Sequence, residues 1–297
     1  MKKWIIAICL LMIVALTGCS KVEVLDIPND EKVRMMQAMD APEYHVITAK
    51  LDINLESQGT GDLTGFPNGE VEASINAYVN LNSAEEFYFY ITYDISVTRG
   101  DDPLTAVGSL FLVNSKLYLD IDYDMSLNGS TTSIDSKEYM DMTSQNIDFY
   151  SEIQNVLSQL NWEEFQTTAV EELTAEAEDF FNLVVVSTKD DYTYFDVTVD
   201  QDTLRSSFDL PADDEFASGI QQIKANLTFI KQAFKSIQFE LNYNYTQDTN
   251  TITAQGGVLL DLQGAAPKLP VISDYTVVQY FSILQSLATL LGPMGIA

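Results

Sequence analysis

The chain has 297 residues, with 44 acidic against 15 basic side chains and a formal net charge of −29. That balance excludes a nucleic-acid partner and repels an anionic lipid surface, because both carry the same sign of charge. Two cysteines and a single histidine exclude a disulfide-built scaffold and zinc sites made of several His or Cys ligands.

Lys2 and Lys3 open the chain, and Trp4 to Leu16 is an apolar run of thirteen residues. A membrane-spanning helix needs about 20. A short positive region followed by a short apolar one is the pattern of an export signal. Leu16-Thr17-Gly18-Cys19 follows directly. This resembles the bacterial lipobox, in which a small residue precedes an invariant cysteine. The resemblance implies that residues 1–18 are a lipoprotein signal peptide, cleaved before Cys19, and that the Cys19 thiol carries a diacylglyceryl group. Thioether formation needs a soft nucleophile, which a thiol supplies. An ordinary secretory signal that contains Cys19 is the alternative. On the lipobox reading Cys9 leaves with the signal and the mature chain has no free thiol and no disulfide, so an apolar core must hold it together. Loss of Lys2 and Lys3 leaves 13 basic against 44 acidic side chains, a net of −31. The expected location is the extracytoplasmic face of the cell membrane, where two acyl chains at about 0.8 kcal/mol per buried methylene give stable anchoring.

Residues 19–28 read as a short tether and 29–297 as one domain. Asn29 is the expected N-cap of a helix, with Asp30 and Glu31 suiting the dipole and Val33, Met36 and Met39 at helical spacing. Pro42 ends it. Strands follow with period-2 alternation: Ile47 to Leu55, Val71 to Leu81, Phe87 to Val97, Leu104 to Val113 (apolar on both faces) and Leu117 to Leu127. Their short connections demand mostly antiparallel pairing. Ile153, Val156, Leu157 and Leu160 make a helical stripe, followed by Trp162 and Phe165. Strands return at Leu183 to Ser187 and Tyr192 to Val199. Phe216, Ile220, Ile223, Leu227, Ile230 and Phe234 recur at spacings of 4, 3, 4, 3 and 4, which predicts an amphipathic helix of about 22 residues. Ile237 to Tyr245 and Ile252 to Leu262 predict a hairpin around Asp248-Thr249-Asn250. After Asp274 no charged side chain remains, and Thr276 to Leu291 predicts a largely apolar, buried helix.

Helices and strands so segregated predict an α+β fold. A strongly curved antiparallel sheet with helices packed in its concave face fits the pattern. The lipobox, the first helix with Met36-Gln37-Ala38-Met39, the strand opening with Tyr44, and Asn114-Ser115-Lys116-Leu117-Tyr118-Leu119 resemble lipoproteins of Gram-positive bacteria. Those are similar in architecture to the LolA/LppX group of lipoprotein and lipid carriers. The resemblance implies a half-barrel that holds acyl chains or another hydrophobic ligand under helical lids. The lining expected for such a ligand is Ile53, Ile75, Phe89, Ile91, Ile121, Leu241, Phe281 and Leu284.

Little in the chain points to catalysis, and the expectation is a protein that is not an enzyme and uses no cofactor or metal. His45 falls on the apolar parity of its strand and reads as a buried or half-buried structural histidine. Asp120, Asp122 and Asp124 start like a calcium loop, but the sixth position is Met125 and the twelfth Thr131, so they read as a solvated strand face. Tyr78, Tyr88, Tyr90 and Tyr118 lie on otherwise polar faces and suit cross-strand packing or a sugar or peptide ligand. The expected function is a non-catalytic lipoprotein that binds or carries a hydrophobic ligand. The alternative is a structural lipoprotein with a filled core that binds an envelope protein or cell-wall polymer.

Overall fold

The computed structural model describes residues 22–59, 68–99, 102–127, 130–145, 147–159, 178–207, 218–247, 249–279 and 281. The strands are β1 (Glu23–Leu25), β2 (Val46–Gln58), β3 (Gly69–Asn80), β4 (Tyr88–Arg99), β5 (Asp102–Val113), β6 (Lys116–Leu127), β7 (Ser130–Asp141), β8 (Val184–Lys189), β9 (Tyr192–Asp200), β10 (Ile220–Ile230), β11 (Ala233–Gln247), β12 (Asn250–Asp261) and β13 (Thr276–Val277). They form one sheet in the order β1-β8-β9-β10-β11-β12-β2-β3-β4-β5-β6-β7-β13. Two up-and-down meanders, β2 to β7 and β8 to β12, are joined where β12 pairs with β2. All pairs are antiparallel except β13 with β7, so the sheet is mixed, and its ends β1 and β13 leave it unclosed.

Local chemistry accounts for the tight turns. Asn114 and Ser115 (φ 51° and 57°) join β5 to β6, and Lys231 and Gln232 (φ 48° and 74°) join β10 to β11. Two successive left-handed residues twist a hairpin turn in the sense the strands require.

Among the described residues helices are few and short: α1 (Asn29–Gln37), α2 (Phe149–Ser158), α3 (Glu178–Leu183) and α4 (Gln201–Ser207). Asn29 is the first helical residue of α1 and not its cap; its amide donates to Asn182 Oδ1 at 2.7 Å instead. Asp148 caps α2, accepting from the Ser151 hydroxyl at 2.6 Å and from the Ser151 amide at 3.1 Å, and these two bonds hold its carboxyl below the usual range. Among the described residues no helix is long and apolar enough to cross a membrane.

The architecture is therefore nearly all-β, which overturns the expected α+β fold with helices in a concave face. The largest correction is the helix expected over 216–234. That stretch contains β10, the turn at 231–232 and the start of β11. The register of β10 against β11 slips between Ile220 and Gln222 and again between Thr228 and Phe229. Each β-bulge shifts the side-chain parity by one, so a period of two passes for one near 3.6. The second correction is at 276–291: its first two residues form β13, and 282–297 lie outside the described residues. The third is β7, whose Ser- and Thr-rich sequence carries too few apolar residues to announce a strand.

Register divides the sheet into two faces. On one, Lys224, Glu240, Gly257, Asp52, Ser74, Asp94, Val107 and Asp122 stand in line across eight strands. The other carries Ile223, Leu241, Ile53, Ile75, Ile91, Leu110 and Leu119. At one end of the apolar face Met39, Phe181, Val184, Val186, Phe195 and Phe229 form a buried cluster that α1, α3 and Leu204 of α4 cover. At the other end Leu119, Ile121 and Tyr123 bury Phe281.

Candidate functional site

The middle of the apolar face lies between those two clusters. Ile237 and Phe239 on β11, Val258 on β12 and Ile53 on β2 are 39%, 41%, 46% and 39% exposed there. Phe239 pairs with Val258, Val258 with Leu51, and Ile53 with Gly256, so the four are neighbours on one surface. Strands about 4.8 Å apart make this a stripe roughly 10 Å wide.

The structure brings most of the expected ligand lining onto this face. Ile53, Ile75, Phe89, Ile91 and Leu241 share it, through Leu51↔Ile75, Ala77↔Ile91, Val79↔Phe89 and Leu241↔Gly256. Ile121 and Phe281 pack against each other in the far cluster and are 7% and 5% exposed, so they face no opening. Leu284 and Cys19 lie outside the described residues. Sequence reasoning missed Ile237, Phe239 and Val258. Their alternation was readable, but the pairing of β12 with β2, about two hundred positions apart, was not.

Directly behind the stripe, an open cavity of about 620 Å³ lies on the polar face. Asp52, Glu72, Asp94 and Glu240 ring it, with amides from Asn54, Gln238, Asn242 and Gln255. Ser74 donates to Asp52 at 2.8 Å and Gln238 to Glu240 at 2.8 Å. Its floor includes Gly257, where an added Cβ would stand 3.4 Å from the nearest atom.

Farther along the polar face an aromatic row crosses β3 to β7. Tyr78 stacks on Tyr90 at 5.9 Å, Phe111 on Tyr118 at 4.6 Å and Tyr118 on Tyr139 at 5.3 Å. Tyr275 covers it edge-on, at 5.6 Å from Phe111 and 5.3 Å from Tyr118. The chain from Leu262 onward crosses this face with Gly264 bonded to Val46 and Leu269 on the row, reaches β7 at β13, and turns Val278 and Phe281 onto the apolar face. Tyr88, Tyr90 and Tyr118 are thus buried packing, 8%, 9% and 4% exposed, and offer no open platform for a sugar.

Asp120 accepts from Lys137 at 3.2 Å and stands 3.5 Å from the Tyr275 hydroxyl. Burial, aided by the Asp120 charge, pushes Tyr93 and Tyr275 up to about 12. Asp122 and Asp124 point to solvent on the same face. Among the described residues no three His, Cys, Asp or Glu side chains are grouped to hold a metal ion. His45 is exposed, not half-buried: its side chain faces Asn82 at 3.3 Å and Glu43 at 3.7 Å just before β2. It has no nucleophile beside it among these contacts.

No protein-family model matches the chain, and no curated protein matches it either.

Proposed function

We propose that the chain is a non-catalytic lipoprotein, held by lipid on Cys19 to the extracytoplasmic face of the cell membrane, that takes a hydrophobic ligand of the acyl-chain class on the central apolar stripe. One observation carries the reading. Four large apolar side chains stand about two-fifths exposed in the middle of a face whose two ends are buried. Exposed apolar surface costs roughly 25 cal/mol per Å², and a contiguous patch of it in a soluble body marks a binding surface. The patch lies on strands, so it is rigid before a ligand arrives, and binding costs little ordering.

The test uses the unlipidated soluble form, gently purified. Native mass spectrometry should recover it with a bound apolar molecule, and a dansyl-labelled fatty acid should bind and be displaced by unlabelled fatty acid. Phe239→Asp and Val258→Asp should weaken dye binding at least tenfold, since each puts a charge where methylenes would pack. Val107→Asp, at a 46% exposed site on the polar face, should leave it unchanged. Bare polypeptide with no dye uptake defeats the reading.

The polar cavity supports a second reading, a lipoprotein that binds an envelope protein or a wall polymer there. Its lining of amides and carboxylates suits a polar chain. Retention on wall material that Gly257→Arg abolishes, with dye binding intact, would favour it.

A further inference from the structure

The segment read as a tether is partly built into the sheet. Glu23–Leu25 pairs with β8, and Leu25 and Ile27 pack into the buried cluster under α1. Glu23 lies four positions after Cys19, and an extended chain advances at most about 3.6 Å per residue, so the sheet edge lies within about 14 Å of the lipidated cysteine. The outer face of that edge carries exposed valines. Val24 opposes Ser187, so Val22, Val24 and Val185 share the outer face of β1 and β8, and they are 56%, 65% and 47% exposed. On the same face Tyr192 and Tyr194 stack at 6.1 Å, opposite Lys189 and Ser187. Around the β8–β9 turn Lys189 and Lys231 offset Asp190 and Asp191, while Glu23 and Asp26 flank Val24 and Leu25, so these six charged side chains net −2 in a chain of net −29.

From these placements we infer that the β1–β8 edge is a membrane-docking surface: Val22, Val24 and Val185 enter the headgroup region of the bilayer that holds the lipid, and Tyr192 and Tyr194 lie at its interface. The inference rests on lipidation of Cys19. Three features select a bilayer over a protein as occupant. The anchored terminus delivers this edge and no other to the membrane. The corner meets less charge repulsion at a lipid surface than the rest of the acidic surface, because Lys189 and Lys231 cancel two of its four acids. Tyrosine and lysine beside apolar side chains are the residue types of interfacial belts. The sheet then stands with β1 at the membrane and β13, twelve strands away, as its outermost edge.

The experiment uses the mature lipidated protein in phosphatidylcholine vesicles. Once Cys19 is a thioether and Cys9 has gone with the signal, an introduced cysteine is the one free thiol. Val24→Cys, Val185→Cys and, at the opposite edge, Val277→Cys (62% exposed) are labelled with an environment-sensitive fluorophore. Labels at 24 and 185 should shift to the blue on reconstitution and be quenched several-fold more by nitroxide lipid than the label at 277. Equal quenching at all three sites, in protein that sediments with the vesicles, overturns the docking surface and leaves the anchor standing. A mature chain whose mass shows no acyl groups overturns both.

Discussion

Gly108 lies where Tyr93 of β4 crosses β5 to reach β6. The Tyr93 hydroxyl donates to the Asp120 carbonyl at 3.3 Å, and a Cβ at Gly108 would stand 2.1 Å from that carbonyl oxygen and 2.7 Å from the hydroxyl. The carbonyl belongs to a central ladder and cannot yield cheaply. Gly108→Ala is therefore expected to destabilise the fold by about 1–3 kcal/mol in urea unfolding, the usual cost of overpacking. Gly257 is the opposite case. It sits in an unbulged stretch of β12, and its Cβ would meet only ordinary contacts. A strand-interior glycine without steric need costs about 0.5–1 kcal/mol, so Gly257→Ala should be neutral or stabilising by up to about that amount. Neither outcome was readable from the chain, where both glycines merely interrupt strand patterns. Lys32 was equally hidden. Its place in the first turn of α1 does not mark it as buried, yet its ammonium donates to the carbonyls of Phe181 and Val184 at 2.8 and 2.7 Å, closing the end of α3.

The C-terminal crossing segment, 262–281, holds both faces of the β3–β7 meander at once. It covers the aromatic row with Tyr275 and supplies Phe281 to the apolar cluster. Tyr275→Ala removes the ring that meets both Phe111 and Tyr118, and the expected loss is about 3 kcal/mol, the scale for truncating a buried aromatic. Alkali should act through the same element. The ordinary phenol value is 10, and in the fold Tyr93 and Tyr275 are both pushed up to about 12. The folded state thus holds these two protons more firmly than the unfolded chain does. Their stabilisation is complete below pH 10 and is lost as pH rises from 10 towards 12. Thermal melting across that window should show a steep fall that Tyr275→Phe makes shallower; an unchanged slope would show that Tyr275 contributes nothing to it. Legibility at this scale followed the bulges. β2, β3, β4 and β6 were readable because unbroken alternation spans each, as in Ile47-Ala49-Leu51-Ile53-Leu55, β5 was readable as an apolar run between turns, and the β11–β12 hairpin was readable around Asp248-Thr249-Asn250. β10 was not, although Ile223, Ala225, Leu227 and Phe229 do alternate, because the slips at either end brought Ile220 and Phe234 into helical spacing with Ile223, Leu227 and Ile230. What could not be read was that the helices of the described residues are too short to cover a sheet thirteen strands wide.

For the whole molecule, the charge balance has a structural consequence. Like charges stand directly opposite each other in two ladders: Asp122 faces Asp135 across β6 and β7, and Glu56 faces Glu70 across β2 and β3. Directly opposed like charges destabilise a sheet by a few tenths of a kcal/mol or more each. The polar face adds Asp52, Asp94 and Glu240 in a single cross-strand row, with Lys224 as the cation at its end, 3.9 Å from Glu240. With three acids to every base in the chain, cations are too few to pair this surface, so folding concentrates repulsion that the expanded chain relieves. The screening length falls from about 30 Å at 0.01 M salt to about 8 Å at 0.15 M. Added monovalent salt over that range should therefore raise the urea midpoint, the reverse of what a fold held by surface ion pairs would do. Asp135→Asn should raise the midpoint at low salt and lose most of that gain at high salt. Lys137 lies on the same face of β7 but bonds Asp120, so it does not relieve the Asp122–Asp135 pair directly. A gain that persisted undiminished at high salt would locate the effect in strand propensity instead of charge, and the repulsion argument would fail at that pair. The same acidity bears on the orientation proposed at the membrane. A uniformly acidic sheet has no preferred face towards lipid, whereas an apolar corner beside a lipidated Cys19 would give it one, and the blue shift expected of the labels at 24 and 185 should be independent of salt because valine side chains and not charges supply it.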